Sequence, residues 1–304
     1  MDTEQTYTLA DLERFEFPGT PLAVLGHPVR HSISPAMHNA ALAELAKTSP
    51  RFKDWSYYRF EVPAESLLES LPLFHAKGFL GLNLTVPHKV IALDGVETIS
   101  ASAQQMGAVN TLRRTESGYE GFNTDGYGME MGIQKALGST LESNAVILLG
   151  SGGAARAAAV QCVQSNATRL YLGNRTPTRL ATLQALLASL PGQTAIQTFE
   201  LAQLPPELPE TGILINATSL GLKAEDPAPV ELSQLPLGWL VYDMIYNPAA
   251  TVLLQQAIER GHSTANGLSM LIHQGARSLQ LWTGADFEVS VMERAALNAL
   301  HLPK

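Results

Sequence analysis

Three polar residues in the first half of the sequence each lie just after an apolar run of strand type, and together they have acid–base chemistry. They are Lys89, Asn110 and Asp125. Open α/β sheets bind ligands at the carboxyl ends of strands, so the three side chains are candidates for one site. There a lysine can exchange a proton with an oxygen as hydride moves, while an aspartate anchors a hydroxyl and orients the lysine. Each residue also has an ordinary explanation, Lys89 as a solvated helix-start residue and Asp125 as a turn former before Gly126.

The elements that would position these residues alternate between strand and helix. The patterns predict strands at 22–25, 55–62, 81–86 and 108–112, and helices at 36–46, 64–77 and 98–106. This alternation predicts a mainly parallel sheet. Residues 1 to about 20 are polar and acidic without convincing periodicity, and we expect them to form a short arm ahead of the first domain.

Two serines precede the first long helix. Ser34 stands before Pro35, which is typical of a helix N-cap followed by proline at the first helical position. Ser32 has no comparable structural role in the sequence. We therefore interpret Ser34 first as a cap, and Ser32 as a residue whose function needs another explanation.

The second half of the chain is organised around residues 144–179. An apolar strand at 145–149 is followed by Gly150, Ser151, Gly152, Gly153, Ala154 and Ala155, which fit the pattern G-x-G-x-x-G/A. An alanine-rich helix to about residue 164 and a second strand at 169–172 follow. In this arrangement glycines admit a pyrophosphate, and the helix N-terminus supplies N–H groups and positive potential. The stretch predicts a dinucleotide-binding Rossmann unit; the alternative is a Gly-rich turn that binds nothing.

The end of the second strand indicates which dinucleotide binds. NAD-binding units usually place Asp or Glu there to hold the ribose 2′-hydroxyl. This sequence has Asn174, Arg175, Thr176 and Arg179 instead, with no carboxylate nearby in the sequence. Two guanidinium groups suit a 2′-phosphate, so the pattern favours NADP over NAD. Thr176 and Pro177 also suit an ordinary helix start, and the two interpretations are compatible.

The remaining patterns complete a two-domain α/β fold. Further strands are predicted at 195–199, 213–217 and 240–243, with helices at 125–138 and 249–260. The helices at 268–281 and 290–300 have no strand to serve in the second domain, so we expect them to return to the first. We predict a mainly parallel βα domain from residues 1–124 and 266–304, and a Rossmann domain from residues 125–265.

Composition excludes several classes of protein. The chain has 304 residues, of which 45% are hydrophobic and 16% charged, as expected for a globular protein. A net charge of −8 argues against nucleic acid or an anionic membrane as a partner. One cysteine, Cys162, excludes a disulfide framework. The first residues lack a signal peptide pattern, and no metal-ligand spacing is present, so we expect a cytoplasmic protein without a metal.

Several motifs occur in an order and spacing that resemble one enzyme family. They are SISPAMHN, NLTVPHK, GAVNT, NTDG, GSGGAA followed by NRT, NATS, YDMIY and NGLSMLIHQG. From about residue 22 to the C-terminus the chain resembles shikimate dehydrogenase. The resemblance implies two α/β domains and the reversible NADPH-dependent reduction of 3-dehydroshikimate to shikimate, in aromatic amino-acid biosynthesis. The departures from the family pattern are mild, and the first 20 or so residues lie outside it.

The resemblance also implies roles for particular residues. Lys89 and Asp125 would form the catalytic pair. The substrate carboxylate and ring hydroxyls would be bound by Ser32, Ser34, Thr85, Asn110, Tyr246 and Gln274. The cofactor would contact Gly150, Ser151, Gly152, Gly153, Ala154, Ala155, Asn174, Arg175, Thr176, Arg179, Thr218, Met244 and Gly267.

Two alternatives remain open at this point. One is a quinate/shikimate dehydrogenase of the same fold that uses NAD or both cofactors. The other is a non-catalytic NADP-binding sensor, which has no need of Lys89 and Asp125 together. A methylene-tetrahydrofolate dehydrogenase-like enzyme shares the architecture but does not explain the SxS and NTDG motifs. The sequence leaves open whether the protein is a monomer or a homodimer.

Overall fold

The computed structural model describes residues 1–201 and 203–301. The chain divides into two compact units, the first formed by Met1–Thr124 with Gln274–Lys304 and the second by Asp125–His273. Residues 302–304, the end of the segment 266–304 assigned to the first domain, lie outside the described residues.

The first unit contains a seven-stranded sheet in the order β1-β3-β2-β4-β6-β7-β5. Its strands are β1 (Thr6–Tyr7), β2 (Thr20–Gly26), β3 (Trp55–Glu61), β4 (Gly81–Leu84), β5 (Thr98–Ile99), β6 (Thr111–Arg114) and β7 (Tyr119–Phe122). Its helices are α1 (Leu9–Arg14), α2 (Ser34–Thr48), α3 (Leu67–Ala76), α4 (His88–Ile91) and α5 (Ala101–Met106). The pairs β1–β3, β2–β3, β2–β4 and β5–β7 are parallel, so the sheet is mainly parallel as predicted.

An antiparallel hairpin interrupts this parallel arrangement, and the sequence patterns did not predict it. The strand predicted at 108–112 is displaced to β6, which pairs antiparallel with β4 and with β7. The turn between β6 and β7 is closed by the Thr115 N–H, which donates to the Gly118 carbonyl at 3.0 Å. As a result Asn110 does not follow a strand but directly precedes one, beside the carboxyl end of β4, where the Leu84 N–H donates to its carbonyl at 2.9 Å.

The N-terminal segment is part of the sheet and the core, so the prediction of a separate arm was wrong. β1 pairs in parallel with β3, and α1 begins with a capping box between Thr8 and Asp11. Tyr7, Leu12 and Phe17 are buried in the hydrophobic core of the unit. These three residues are five positions apart, a spacing that matches neither the strand nor the helix period and therefore gave no signal.

The second unit contains a six-stranded, entirely parallel sheet in the order β10-β9-β8-β11-β12-β13. Its strands are β8 (Ala145–Leu149), β9 (Arg169–Asn174), β10 (Ala195–Glu200), β11 (Thr211–Asn216), β12 (Gly238–Asp243) and β13 (Thr264–Asn266). Its helices are α6 (Asp125–Leu137), α7 (Gly153–Gln164), α8 (Pro177–Ala188) and α9 (Val252–Glu259). Numbered within the unit, this is the 3-2-1-4-5-6 order of a Rossmann fold, with its switch point between β8 and β11.

The last two helices return to the first unit, as predicted. α10 (Leu268–Thr283) begins in the second unit and continues into the first, where α11 (Ser290–Ala299) packs against α2. The Trp282 indole donates to the Leu112 carbonyl at 2.8 Å. Gly81 makes room for this ring, because a Cβ there would overlap the indole.

Within residues 1–201 and 203–301, no helix has both the length and the apolar character needed to cross a membrane.

Candidate functional site

Thr85 and Lys89 both follow the carboxyl end of β4. All four residues of β4 are buried, and Thr85 continues the strand because its N–H donates to the Leu25 carbonyl at 3.0 Å. The chain then turns, with the His88 N–H donating to the Thr85 carbonyl at 2.8 Å. Lys89 therefore lies in the first turn of α4, and its carbonyl accepts from the Val109 N–H at 2.8 Å. A residue with a hydroxyl and a residue with an amine thus follow the same strand, four positions apart.

Asn110 is the centre of a hydrogen-bonded group beside this end of β4. Its Oδ1 accepts from the Thr124 N–H at 2.8 Å and from Thr111 Oγ1 at 3.0 Å. Its Nδ2 donates to Thr124 Oγ1 at 2.9 Å and to Gln274 Oε1 at 3.4 Å. Two donors on Oδ1 fix which way the amide points, so the side chain presents its N–H groups in one orientation. The structure thereby brings together two predicted substrate residues, Asn110 and Gln274.

A second group of buried polar side chains supports Asn110 from behind. Asn83 Nδ2 donates to Ser278 Oγ at 3.0 Å and to Thr111 Oγ1 at 3.1 Å, while its Oδ1 accepts from the Tyr57 hydroxyl at 2.8 Å. Ser278 Oγ and Thr111 Oγ1 lie 2.7 Å apart. Sequence reasoning missed this group. The available signal was Asn83 itself, a lone amide inside an apolar strand, since a buried amide needs hydrogen-bonding partners.

Ser34 does not cap the first long helix, so the capping role predicted for it was wrong. Ser34 is the first residue of α2, the N-cap position belongs to Ile33, and no side chain caps the helix. Ser32 Oγ accepts from the Ser34 N–H at 3.3 Å, so the residue without a predicted structural role is the one that satisfies a helix-start N–H. The proton of the Ser32 hydroxyl stays available for another acceptor, because that bond uses an oxygen lone pair.

His38 is hydrogen-bonded to Ser34 and stacks on Tyr57, and neither residue was predicted to belong to the site. His38 Nδ1 donates to the Ser34 carbonyl at 2.9 Å, and its ring stacks on Tyr57 with centroids 4.1 Å apart. Burial lowers the pKa of His38 to about 4, so the imidazole is neutral at physiological pH. Burial also raises the pKa of Tyr57, which keeps its phenol protonated as a donor to Asn83. The signal in the sequence was the helical spacing of four residues from Ser34 to His38.

Asp125 belongs to the second unit, in which it is the first residue of α6. The residue is buried. The residue before it, Thr124, is the end of the first segment of the first unit and is held through its N–H and hydroxyl by Asn110. Asp125 therefore directly follows Thr124, which is hydrogen-bonded to the predicted substrate residue Asn110.

The glycine-rich loop after β8 leaves open space at the start of α7. Gly150 has φ of +115°, and a Cβ there would lie 2.9 Å from the Ala217 carbonyl oxygen. At Gly152 and Gly153 a Cβ would meet nothing within 4 Å, so both positions face open space. α7 begins at Gly153 with no side-chain cap. The N–H groups of its first turn therefore have room for an anion.

The ends of three further strands complete this edge of the second sheet. Thr218 follows β11, and both its N–H and its hydroxyl donate to Asn216 Oδ1, at 3.0 and 2.8 Å. Gly267 follows β13 and lies against Met244, since a Cβ at Gly267 would overlap the Met244 carbonyl oxygen. Gly150, Thr218, Met244 and Gly267 thus lie after the carboxyl ends of β8, β11, β12 and β13.

Asn216 and Asp243 hold these loops in place, and sequence reasoning missed both. Asn216 Nδ2 donates to Asp243 Oδ1 at 3.0 Å. Asp243 also accepts from Thr251 Oγ1 at 2.6 Å and from the Ile245 N–H at 3.0 Å. Burial raises the pKa of the Asp243 carboxyl, an effect that these hydrogen bonds oppose. Each residue is the polar end of an apolar strand, which was the available signal.

The end of β9 carries the residues predicted to select the cofactor. Arg175, Thr176 and Arg179 are exposed, and Asn174 is half-buried. Thr176 occupies the N-cap position of α8 with Pro177 after it, as expected, although its hydroxyl makes no capping bond. No carboxylate lies near these residues along the chain, but the sheet brings one into register with them. Glu200, at the end of β10, lies in register with Asn174.

Tyr246 lies three residues beyond β12 in the second unit and is half-buried. Burial raises the pKa of its phenol, so the hydroxyl stays protonated and can donate to an anion.

Among the residues that the structure describes, no group of three or more His, Cys, Asp or Glu side chains is arranged to hold a metal ion.

Comparison with known proteins connects these features to one family. The family model for the shikimate dehydrogenase substrate binding domain matches residues 24–112, and the model for the shikimate 5'-dehydrogenase C-terminal domain matches residues 267–297. A curated relative, the NADP(+) shikimate dehydrogenase of Symbiobacterium thermophilum, is 38% identical over 287 residues, which cover 93% of this chain and 95% of the relative.

Solved structures share the same fold. The shikimate 5-dehydrogenase of Thermus thermophilus, in complex with NADP(H) and shikimate, is 36% identical with a TM-score of 0.79, covering 92% of this chain and 99% of that one. The ligand-free 5-ketofructose reductase of a Gluconobacter strain is 30% identical with a TM-score of 0.82, covering 93% and 99%. Proteins that act on different substrates therefore share this architecture.

Proposed function

The chain belongs to the shikimate dehydrogenase family, and from this premise we propose that it catalyses the reversible NADPH-dependent reduction of 3-dehydroshikimate to shikimate. The observation that carries the proposal is the hydrogen-bonded pair of amides Asn110 and Gln274, 3.4 Å apart. An amide of fixed orientation beside a second amide suits the neighbouring hydroxyls of a polyhydroxylated ring. In this assignment the protein acts in aromatic amino-acid biosynthesis.

We assign the binding of substrate and the binding of cofactor to different domains. We assign substrate binding to residues 1–124 and 266–304, and cofactor binding to residues 125–265. The mixed sheet of the first unit and the Rossmann order of the second support this division. Residues 266–273, which we place with the substrate domain, fall in the second compact unit, within the first turns of α10 or just before them.

The substrate is held through its carboxylate and its hydroxyls. Ser32 and Ser34 bind the carboxylate, with Tyr246 as a third donor, and the protonated phenol of Tyr246 supports that role. Thr85, Asn110 and Gln274 bind the ring hydroxyls. Every one of these groups can donate a hydrogen bond, as a carboxylate requires, and the hydroxyls and amides can also accept one.

The glycine-rich edge of the second sheet fits NADP. Gly150, Ser151, Gly152, Gly153, Ala154 and Ala155 hold the pyrophosphate, and the open space at Gly152 and Gly153 supports that assignment. Asn174, Arg175, Thr176 and Arg179 surround the 2′-phosphate, while Thr218, Met244 and Gly267 line the cofactor further along the edge. When bound, NADPH supplies the hydride for the reduction.

Lys89 and Asp125 perform the acid–base chemistry. In the reductive direction the Lys89 ammonium gives a proton from Nζ to the oxygen of the carbonyl as that carbon is reduced, and in the reverse direction the neutral amine takes it back. Asp125 accepts a hydrogen bond from a substrate hydroxyl and orients the lysine. Thr85, at the same strand end as Lys89, keeps a hydroxyl of the ring close to Nζ.

The last part of the proposal concerns the cellular compartment and the oligomeric state. We propose a cytoplasmic enzyme that is a monomer or a homodimer. The single cysteine, Cys162, is buried in α7, which suits a reducing compartment where disulfides do not form.

One assay tests the proposed function. Absorbance of the reduced cofactor, NADPH or NADH, is followed with shikimate and with quinate, each with NADP⁺ and with NAD⁺. Quinate carries an extra hydroxyl beside its carboxylate, and an unpartnered buried hydroxyl costs about 1–3 kcal/mol, so kcat/KM for quinate should be at least about tenfold lower than for shikimate. Equal or better use of quinate would replace this proposal by a quinate/shikimate dehydrogenase.

A third substrate separates the remaining alternatives. The Gluconobacter neighbour is named for 5-ketofructose, a neutral sugar that gives Ser32 and Ser34 no carboxylate to bind. We expect no measurable turnover of 5-ketofructose with NADPH. Activity with 5-ketofructose alone would make the substrate assignment wrong, and no activity with any of the three compounds, combined with NADPH binding, would favour a sensor.

A further inference from the structure

Arg59 connects the N-terminal segment to the loop that carries Ser32. The residue lies on β3, opposite Thr6 of β1 in the parallel ladder. Its Nη1 donates to the Ser32 carbonyl at 2.7 Å, its Nε to Thr6 Oγ1 at 2.9 Å and its Nη2 to the Glu4 carbonyl at 2.5 Å. One guanidinium therefore binds two points of the N-terminal segment and one point of the Ser32 loop.

These bonds fix Ser32 from the backbone side. The Ser32 N–H donates to the Val29 carbonyl at 2.9 Å, and its Oγ accepts from the Ser34 N–H at 3.3 Å. Arg59 holds the remaining backbone group, the carbonyl. With all three constrained, the Ser32 hydroxyl proton points to a restricted set of positions, which is the condition for a preorganised donor.

Arg59 also contributes charge. The protein has a net charge of −8, so its overall field opposes the approach of an anion. The Arg59 guanidinium binds the carbonyl of Ser32, the residue whose hydroxyl is assigned to the carboxylate. A positive group at this place favours a carboxylate at the Ser32 hydroxyl and has no comparable effect on a neutral ligand.

We infer that Arg59, held by Glu4 and Thr6 of the N-terminal segment, is a positioning residue for the carboxylate of the substrate. The inference rests on the proposed function, because it assumes that Ser32 binds a carboxylate. It gives the first residues of the chain a role in substrate affinity, which the family model does not cover because its match begins at residue 24. The residue acts through Ser32 and takes no part in proton transfer.

Three variants test the inference, with Lys77 as a matched control. Lys77 is also a cation that binds the N-terminal segment, through the Phe15 carbonyl at 3.2 Å and Glu16 at 2.6 Å. Arg59→Met removes both the bonds and the charge, Arg59→Lys keeps the charge and loses the three-point geometry, and Thr6→Val removes one anchor of the guanidinium. Lys77→Met removes a comparable attachment of the N-terminal segment, at Phe15 and Glu16, that does not involve Ser32.

The measurements are KM and kcat with shikimate and NADP⁺, together with the thermal unfolding midpoint. For Arg59→Met we expect KM for shikimate to rise about 5- to 20-fold, with kcat and KM for NADP⁺ within about twofold of the parent. Arg59→Lys and Thr6→Val should show the same pattern at smaller size. Lys77→Met should lower the unfolding midpoint without changing KM for shikimate.

Two results separate failure of the inference from failure of the proposed function. If the parent protein is inactive with shikimate, the proposed function fails before any variant is measured. If the parent is active and Arg59→Met changes only stability, as Lys77→Met does, the inference is overturned. The inference is also overturned if the Arg59 variants lower kcat while KM for shikimate stays constant. Because Thr6→Val removes a single contact at the sheet edge, it keeps the test valid even if Arg59→Met does not fold.

Discussion

The Asn83 amide nitrogen donates to Ser278 Oγ at 3.0 Å, which joins β4 to α10 across 195 positions of the chain. The same serine lies 2.7 Å from Thr111 Oγ1 and donates to the Gln274 carbonyl at 3.0 Å. A strand, a hairpin and a C-terminal helix therefore meet at one hydroxyl. The orientation of Asn110 depends on this meeting point, because Thr111 donates to its Oδ1.

Ser278→Ala is expected to lower the free energy of unfolding by about 0.5–1.5 kcal/mol, because it removes one of the acceptors of the Asn83 amide and the hydroxyl beside Thr111 Oγ1. It should also lower kcat/KM for shikimate by loosening Asn110. Urea unfolding and steady-state kinetics measure the two effects. Ser70→Ala is the control, since Ser70 is a buried serine whose hydroxyl donates to the nearby Leu67 carbonyl. An equal response from both variants would mean that the Ser278 group has no special role.

Lys89→Ala is expected to lower kcat by about 10²–10⁴-fold with a smaller change in KM, which is the usual effect of removing a positioned acid–base group. Asp125→Asn should be comparably damaging, and the double variant should be far less than additive because the two groups act as a unit. Lys47→Ala, which removes an exposed lysine paired with Glu44, is the control. Near-normal kcat in Lys89→Ala would show that another group transfers the proton.

Arg175→Ala is expected to weaken NADP⁺ binding by about 1.5–3 kcal/mol, the range for a charge-assisted hydrogen bond, and to leave NAD⁺ binding nearly unchanged. Titration with each cofactor measures the difference directly. Arg169→Ala removes an arginine at the opposite end of the same strand, where the guanidinium lies over the Tyr171 ring, and should affect neither cofactor. Equal losses with both cofactors would make Arg175 a structural residue.

Burial of His38 is expected to make the free energy of unfolding fall at acidic pH. Its folded-state pKa of about 4 lies below the ordinary value of 6.5, because burial disfavours the charged ring. The unfolded chain therefore binds more protons between these values, so His38 costs no stability above pH about 6.5 and an increasing amount as the pH falls towards 4. At pH 5 the loss amounts to about 2 kcal/mol.

His38→Phe keeps an aromatic ring stacked on Tyr57 and removes the titration. We expect it to be less stable than the parent at pH 7.5, where the Ser34 carbonyl loses a donor, and to depend less on pH down to pH 5. Urea unfolding at the two pH values tests this, with exposed His31→Gln as the control. Parallel pH dependence of the parent and His38→Phe would show that another group causes the acid sensitivity.

The sequence predicted the parts of the fold that have regular patterns. The apolar run before Gly150, the alanine-rich helix and the strand at 169–172 matched β8, α7 and β9, because a Rossmann unit repeats a short local pattern. The hairpin β6–β7 was not predicted, since its strands have only four residues each and mixed burial. The N-terminal segment was missed because Tyr7, Leu12 and Phe17 enter the core at a spacing that fits no regular period.

The residues of the candidate site likewise fall into two groups, those that the sequence predicted and those that it did not. Residues that would touch a ligand lie in motifs, so Lys89, Asn110 and Gly150 were identified from the sequence. Residues that hold them, such as Asn83, Ser278 and Arg59, are brought together by pairing across many chain positions. Single-sequence patterns carry no information on such pairing, although a lone polar residue in an apolar strand marks where to look.

The N-terminal strand has a consequence for association between copies of the chain. β1 is the outermost strand of its sheet and has only two residues, so the sheet ends in a very short edge. β1 pairs with Arg59 and Phe60 of the seven-residue strand β3, so without β1 these two residues would present unpaired N–H and carbonyl groups, beside aromatic side chains, to other molecules. A variant that lacks residues 1–8 is therefore expected to form large assemblies in light scattering at concentrations where the full chain does not. On this expectation, the pairing made by the first residues reduces edge-to-edge association at this side of the sheet.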